Sequence, residues 1–397
     1  MGALEGLRVI ETGSLVAGPF CGQLLADHGA EVIKIEPPAR RHGPPGGDPM
    51  RRWGQGKPLW FSVLARNKKT VTLELSHPRG RELLCRLLRR SDVLIENFRP
   101  GTFERWGLGW ERLRAENPAL VFVRISGFGQ TGPYAGRPSS GAIGEAMGGL
   151  RALMGWPDRP PVGAGVALGD ALVGLFAGLG TLMALHHRQR TGEGQVVDAA
   201  VFEAVLALLG SAVPEYTEAG IVRQRGGAAW PGVAPANLYP CADGEVLIEA
   251  EQDAEFARLA QAMGAPELAR DPRFESHAAR AAHRSELDLR IAAWTRPRPM
   301  AEVLARLEAA DVPAGRLYRV PDMLADPHFA ARDALVAVAH PEFPNLWMQA
   351  PVPKLSETPG DVRWAGPPLG AFNAEVFRGL LGLSGTELAE LERDGVI

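Results

Sequence analysis

The sequence predicts an α/β fold, with a large domain built on a parallel sheet and a smaller α+β domain attached to it. Three observations predict it. Over the first third of the chain, short apolar runs alternate with amphipathic helical runs, and that alternation builds parallel sheets. Within Gly165–Arg190 (GVALGDALVGLFAGLGTLMALHHRQR), the uncharged run from Ala171 to Leu185 reads as a buried helix with one acid, Asp170, at its mouth. After a stretch where periodicity fades, Pro214–Trp230, the pattern changes to a hairpin followed by helices.

Taken in order, Leu7–Glu11 is an apolar strand and Gly13–Gly18 a loop. Pro19 suits the first turn of a helix, Phe20, Leu24 and Leu25 give it an apolar face, and Gly29 ends it. Glu31–Glu36 (EVIKIE) is the second strand. This strand–loop–helix–strand unit is Rossmann-like and invites a dinucleotide reading with Glu36 as the ribose acid. The fingerprint fails, because Gly13, Gly18 and Gly22 do not give G-x-G-x-x-G and Pro19 interrupts the loop. Pro37–Pro58 is a Pro/Gly loop carrying Arg40, Arg41, Arg51, Arg52 and Lys57; a solvated loop and a phosphate clamp both fit it.

Asn67–Leu75 is the next strand, Pro78–Arg90 an amphipathic helix, Asp92–Glu96 a strand, Trp110–Asn117 a helix and Leu120–Ile125 a strand. Ligands of such sheets bind where loops leave the carboxyl ends of strands, here at Glu11-Thr12, Glu96-Asn97 and Ser126-Gly127. Ser126–Gly149 is a Gly-rich connection, and Gln195–Leu208 turns from strand into helix. Asn237–Ala250 reads as a hairpin turning at Ala242-Asp243-Gly244, with helices near Ala254–Met263, Ser285–Thr295 and Met300–Ala310. Two helices end the chain, the last with a Ser384/Glu387 capping box and Gly395 as its stop. The expected domains are 1–215, 225–320 and a returning part, 330–397.

A net charge of -3 gives no general reason to expect nucleic acid. Cys21, Cys85 and Cys241 are widely spaced, form no metal or disulfide pattern, and fit a reducing cytoplasm. The start of the chain runs straight into a strand, so no signal peptide is expected. Ala171–Leu185 is free of charge, but a membrane span needs about 20 apolar residues, and Asp170 and His186-His187-Arg188 bound the run, so no membrane partner is expected. No metal-ligand cluster, P-loop or G-x-S-x-G elbow is present. Asp170 itself fits two roles: an N-cap for a helix beginning at Ala171, or a nucleophilic carboxylate.

Ordered segments along nearly the whole chain resemble the family III CoA-transferases, a family that includes formyl-CoA transferases, carnitine CoA-transferases and α-methylacyl-CoA racemases. They are LEGLRVIETGSLVAGPFCGQLLADHGAEVIKIEPP, NKKTVTLEL, SDVLIENFRPGTFERWGLGWERL, VRISGFGQTGP, GLRALMG, GVALGDALVGLFAGLG, RTGEGQVVDAA and PPLGAFNAEVFRGLLGLSGTELAELERDGVI. The resemblance implies that Asp170 is the nucleophile, passing through a mixed anhydride and an aspartyl-CoA thioester. It implies coenzyme A contacts at Leu73, Asn97, Phe98 and Arg105, with Val16 and Ala17 on the loop near the thioester, Arg137 next to a basic position of the family's CoA site and Arg40 within reach of a phosphate. Acyl-CoA is then substrate, with no permanently bound cofactor and no metal, and the acceptor is a small carboxylic acid. Unpaired arginines near Pro214–Trp230 favour a dicarboxylate. The resemblance further implies a homodimer of two interlocked rings.

Departures from the family pattern are Val16 in place of Gln, which argues against formate or oxalate, Pro37 in place of Arg, Ser140 where an aromatic is usual, and Phe372 where many relatives have His. The racemase His is missing and Glu145 is its nearby substitute. A racemase-like enzyme and a non-catalytic acyl-CoA or nucleotide-binding protein are the alternatives.

Overall fold

A computed structural model describes residues 2–39, 45–54, 57–230 and 232–397. The parallel sheet is present, with six strands: β1 (Arg8–Glu11), β2 (Glu31–Glu36), β3 (Lys68–Thr72), β4 (Val93–Glu96), β5 (Val121–Ser126) and β6 (Val196–Ala200). All pairings are parallel and the spatial order is β3-β2-β1-β4-β5-β6. The order reverses between β1 and β4, so the loops leaving these two strands diverge and leave a crevice at the switch point.

Strand residues alternate between two cores, as a period of two requires. Ile10, Ile33, Leu94 and Phe122 pack with the helix Pro78–Leu88 on one face. Val9, Val32, Val93 and Val121 pack with helices Ala17–Asp27 and Leu168–Thr191 on the other. Burial on both faces explains why these strands read as continuous apolar runs. The edge strand β3 is covered by the C-terminal segment: Phe372 N donates to Thr70 O at 3.0 Å, Thr72 N to Asn373 Oδ1 at 2.9 Å and Thr70 Oγ1 to Pro368 O at 2.7 Å. A covered edge has no free row of backbone groups to recruit another strand.

The long helix spans Leu168–Thr191 and stops at Gly192, whose φ of 78° is left-handed. It thus begins before Ala171 and runs on through the histidine pair. It is long and apolar enough to cross a membrane by length and composition, but one face is built into the second core. There Gly174 lets it close on the helix Ala17–Asp27, since a Cβ at 174 would stand 2.8 Å from Ala17 O. The opposite face leaves Leu175, Phe176, Leu179, Leu182 and Met183 exposed.

Contacts divide the chain into one unit of 1–150, 164–210 and 330–397 and another of 151–163 and 211–329. The second unit carries the expected hairpin, β7 (Ala236–Cys241) and β8 (Gly244–Glu249), extended by a short third strand, β9 (Ala314–Arg316). Helices Asp253–Ala262, Arg284–Thr295 and Met300–Ala309 pack on it much as expected, and His277–Ala282 is an added helix. Two expectations need correction. The fading stretch contains a helix, Ala212–Ala219, and its arginines are not unpaired: Arg223 meets Glu215 at 2.5 Å, and Arg225 donates to the carbonyls of Trp156 and Arg159. Near the C-terminus, Ala374–Leu380 is a π-helix, and Gly385–Arg393 has the predicted capping box, with Gly395 at φ 67°.

Candidate active site

The loop after β1 is held from below by a buried charge network. Lys34 Nζ lies 3.0 Å from Glu11 Oε1 and 3.0 Å from Asp48 Oδ2, and donates to Gly13 O at 2.8 Å. Lys68 Nζ donates to the other Glu11 oxygen at 2.6 Å and to Pro19 O at 2.6 Å. All four side chains are buried. Burial alone would lower the Lys34 ammonium, but Glu11 and Asp48 hold it above its ordinary value. Burial lowers Lys68, with Glu11 pulling against it. Leu15 sits in left-handed backbone at φ 63°, a costly conformation for a bulky residue, and its N–H donates to the Asp48 carboxylate at 3.2 Å. The network therefore dictates the path of residues 13–18.

The loop after β4 locks onto this one. Asn97 Oδ1 accepts from Ser14 N at 2.8 Å and Asn97 Nδ2 donates to Ser14 O at 2.9 Å. Glu96, raised by burial against the pull of Arg124, accepts from Phe98 N at 2.7 Å. Between the two loops and the end of β2 opens a cleft of about 290 Å³, whose walls include Ser14, Glu36, Leu73, Phe98 and Trp106. Phe98 and Trp106 meet edge-on with centroids 5.4 Å apart, giving the cleft an aromatic wall.

The long helix brings Asp170 to the same part of the fold. Ala167, just before that helix, packs on the small apolar cluster of Val16, Met50, Phe61 and Leu64. Asp170 stands one turn before Gly174, the point of contact with Ala17. Its half-buried carboxylate rests against Gly141, where a Cβ would lie 2.4 Å from Oδ2. Asp170 is not the N-cap. That position is Ala167, with no side-chain cap bond, and the helix starts early because Glu145 Oε1 accepts the Gly169 N–H at 2.9 Å, satisfying a donor that a cap would otherwise serve. The Asp170 carboxylate accepts no hydrogen bond among the described residues; burial, then the charge of Glu145, pushes it up to about 6.

Of the residues assigned to coenzyme A, Leu73 and Phe98 line the cleft, and Asn97 ties its two loops. Val16 and Ala17 are buried and are not part of the cleft wall. Arg105 and Arg137 are exposed and are not part of the cleft wall. Arg105 donates to Thr102 Oγ1 and Arg137 stacks on Tyr134, 3.7 Å from the ring centre. The loop carrying Arg137 is tied to the β4 exit by Arg99, which donates to Gly136 O at 2.7 Å. Arg40 lies outside the described residues. Glu36 is no ribose acid: Arg51 engages both its oxygens at 2.7 Å, which also removes Arg51 from any phosphate clamp. Trp106 and the Glu11–Lys34–Lys68–Asp48 network were missed. The network's signal is lysine inside buried strands (Lys34 in EVIKIE, Lys68 in NKKTV), where a charge needs a partner.

A cleft at the switch point of a parallel sheet, with an acid on the adjoining core helix, places the chain among the α/β enzymes. Residues 4–373 match CoA-transferase family III, and the chain belongs to that family. It is 53% identical over 399 residues to succinyl-CoA–D-citramalate CoA-transferase of Chloroflexus aurantiacus, covering 99% of this chain and 98% of that one. It is 42% identical to the beta subunit of succinyl-CoA–L-malate CoA-transferase of the same organism, covering 99% and 98%. A CAIB/BAIF family protein from Brucella suis has the same fold, with TM-score 0.83, 35% identity and coverage of 96% and 99%. The chain is thus a family III CoA-transferase, an enzyme class whose substrates are CoA thioesters.

Proposed function

We propose that this enzyme moves CoA from succinyl-CoA to a small hydroxy-dicarboxylic acid, with Asp170 as covalent carrier. The observation that supports the chemistry is the Asp170 carboxylate: half-buried, free of hydrogen bonds among the described residues, and pushed up to about 6. At pH 7 it is mainly ionised, while its basicity exceeds that of a solvated aspartate, the compromise that suits a group working near neutrality. The substrate pair rests on the relatives named for succinyl-CoA with D-citramalate and with L-malate.

In the first step an Asp170 oxygen attacks the thioester carbonyl, the C–S bond breaks, and CoA leaves as thiolate, giving a mixed anhydride. The thiolate then attacks the Asp170 acyl carbon and succinate departs, leaving an aspartyl-CoA thioester. The acceptor carboxylate attacks that carbon, expelling the thiolate and forming a second anhydride. Attack of the thiolate on the acceptor's acyl carbon releases the new CoA ester and restores Asp170. No proton or redox partner is consumed. Positioning matters most here, since holding reactants in line is worth about 7–11 kcal/mol.

The CoA adenosine end belongs in the Leu73–Phe98–Trp106 cleft, with Asn97 fixing its loops. Arg105 and Arg137, facing solvent near the β4 exit, are suited to phosphates; Arg40 retains that assignment from the resemblance alone. Val16 and Ala17 carry the loop toward the thioester. A racemase reading needs Glu145 as a free base, but its carboxylate is buried and bonded to Gly169 N. We further infer a homodimer of interlocked chains, supported by the exposed apolar stripe of the long helix, and action in the cytoplasm, which suits three free cysteines. A panel of acyl-CoA donors against mono- and dicarboxylic acids, read by mass spectrometry, tests the substrate assignment. Transfer from succinyl-CoA to citramalate or malate is expected; transfer only to monocarboxylates contradicts it.

A further inference from the structure

Glu145 is an unusual neighbour for a nucleophilic carboxylate. It is only 2% exposed, on the short helix Gly141–Met147, and it presents a second acid to the site. Its helix is clamped in place by missing side chains. A Cβ at Gly144 would lie 2.4 Å from Val201 Cγ1, and one at Gly148 2.7 Å from Phe202 O, so the helix lies directly on the segment after β6. Gly141 and Glu145 are four residues apart and share one helical face. That face meets the head of the long helix. Gly141 abuts the Asp170 carboxylate, and Glu145 Cγ would be 2.9 Å from a Cβ at Gly169. Glu145 Oε1 accepts the Gly169 N–H at 2.9 Å.

We propose that Glu145 is a positioning residue for Asp170, anchoring the first turn of the long helix through Gly169 N–H and keeping the neighbouring carboxylate a poorly stabilised, reactive anion. This rests on the reading of Asp170 as nucleophile. An ordinary N-cap such as Ser or Asn satisfies the same backbone donor without a negative charge. A glutamate reaching in from another helix supplies both the anchor and the charge. It is the one ionisable side chain besides burial whose influence registers on Asp170 among the described residues. Repulsion between the two acids raises the energy of the ionised ground state and is relieved when Asp170 becomes an acyl group, which is neutral. Its effect therefore falls on the chemical step rather than on binding of the CoA moiety.

The test compares wild type with Glu145→Gln in the full chain. Glutamine keeps an acceptor oxygen for Gly169 N–H and removes the charge. Isotope-edited infrared titration, with Asp170→Asn identifying the Asp170 band, follows the carboxyl without turnover. A midpoint near 6 in wild type is expected to move clearly downward in E145Q, while burial remains. With succinyl-CoA and citramalate, kcat at pH 7 is expected to fall about tenfold with KM for succinyl-CoA little changed, the signature of an interaction that acts on the transition state. An unmoved midpoint in E145Q overturns the proposal. The titration stays decisive even if the wild type transfers no CoA, an outcome that would instead sink the nucleophile reading. Should E145Q not fold, Glu145→Asp keeps the charge but withdraws it from Gly169 N–H by about one bond length of 1.5 Å. A loss in kcat at unchanged KM then supports the proposal, and an unchanged kcat overturns it.

Discussion

At the scale of single residues, Asp170 is an acid whose surroundings oppose its ionisation. Its pKa is higher folded than unfolded, about 6 against 3.8. The unfolded chain therefore loses its proton first, and stability falls as pH rises from about 4 to about 6, then stays lower. Asp170→Asn removes that cost and removes no cap bond, since Ala167 is the N-cap. The variant should melt no lower than wild type at pH 7.5, with the two curves converging below pH 4, while transfer drops by orders of magnitude. Differential scanning fluorimetry across pH, beside the transfer assay, checks both. A variant that melts well below wild type at pH 7.5 contradicts this account. Glu11 is tied into the fold by charge. It is the shared partner of two buried ammonium groups, at 3.0 and 2.6 Å. Glu11→Gln leaves them short of a charge, and breaking a buried pair costs about 3–5 kcal/mol, which urea unfolding would register as a large drop in midpoint.

Elements show which parts of the fold local sequence could specify. The β1–helix–β2 unit, the hairpin turning at Asp243 and the Ser384 capping box were all legible, because each depends on near neighbours: strand alternation, a turn residue, a cap three residues from its partner. The start of the long helix was misplaced because one of its first-turn N–H groups, that of Gly169, is satisfied from Glu145, 24 residues away in sequence. For Arg51 both a solvated loop and a phosphate clamp stayed open, because its partner, Glu36, belongs to another element. Of the candidate site, Asp170 stood out by its place before an uncharged run and Leu73, Asn97 and Phe98 came from the family resemblance alone, while the ionic network under the cleft, made by side chains from β1, β2, β3 and the loop of Asp48, is a tertiary fact. Helix packing gives its own prediction. Gly174→Ala puts a Cβ 2.8 Å from Ala17 O, and such overpacking costs about 1–3 kcal/mol. Denaturant unfolding should show the loss, and kcat should fall with it, because the same contact sets Asp170 beside the Val16–Ala17 loop. A variant as stable and active as wild type would show that this close approach is unimportant.

For the whole molecule, the exposed stripe of Leu175, Phe176, Leu179, Leu182 and Met183 exceeds what scattered surface apolar residues require, and contiguous patches of this kind mark interfaces. Sedimentation velocity should find a dimer over all accessible concentrations, and a folded monomer at micromolar protein would refute the interlocked arrangement. The proposed catalysis comes down to one covalent bond. The most direct measurement is peptide mass spectrometry of protein incubated with succinyl-CoA and quenched with hydroxylamine. Asp170 should carry a hydroxamate, and no other acid should, with the label absent in Asp170→Asn. Active enzyme that leaves Asp170 unmodified, or that is labelled equally in the Asp170→Asn variant, would contradict the account.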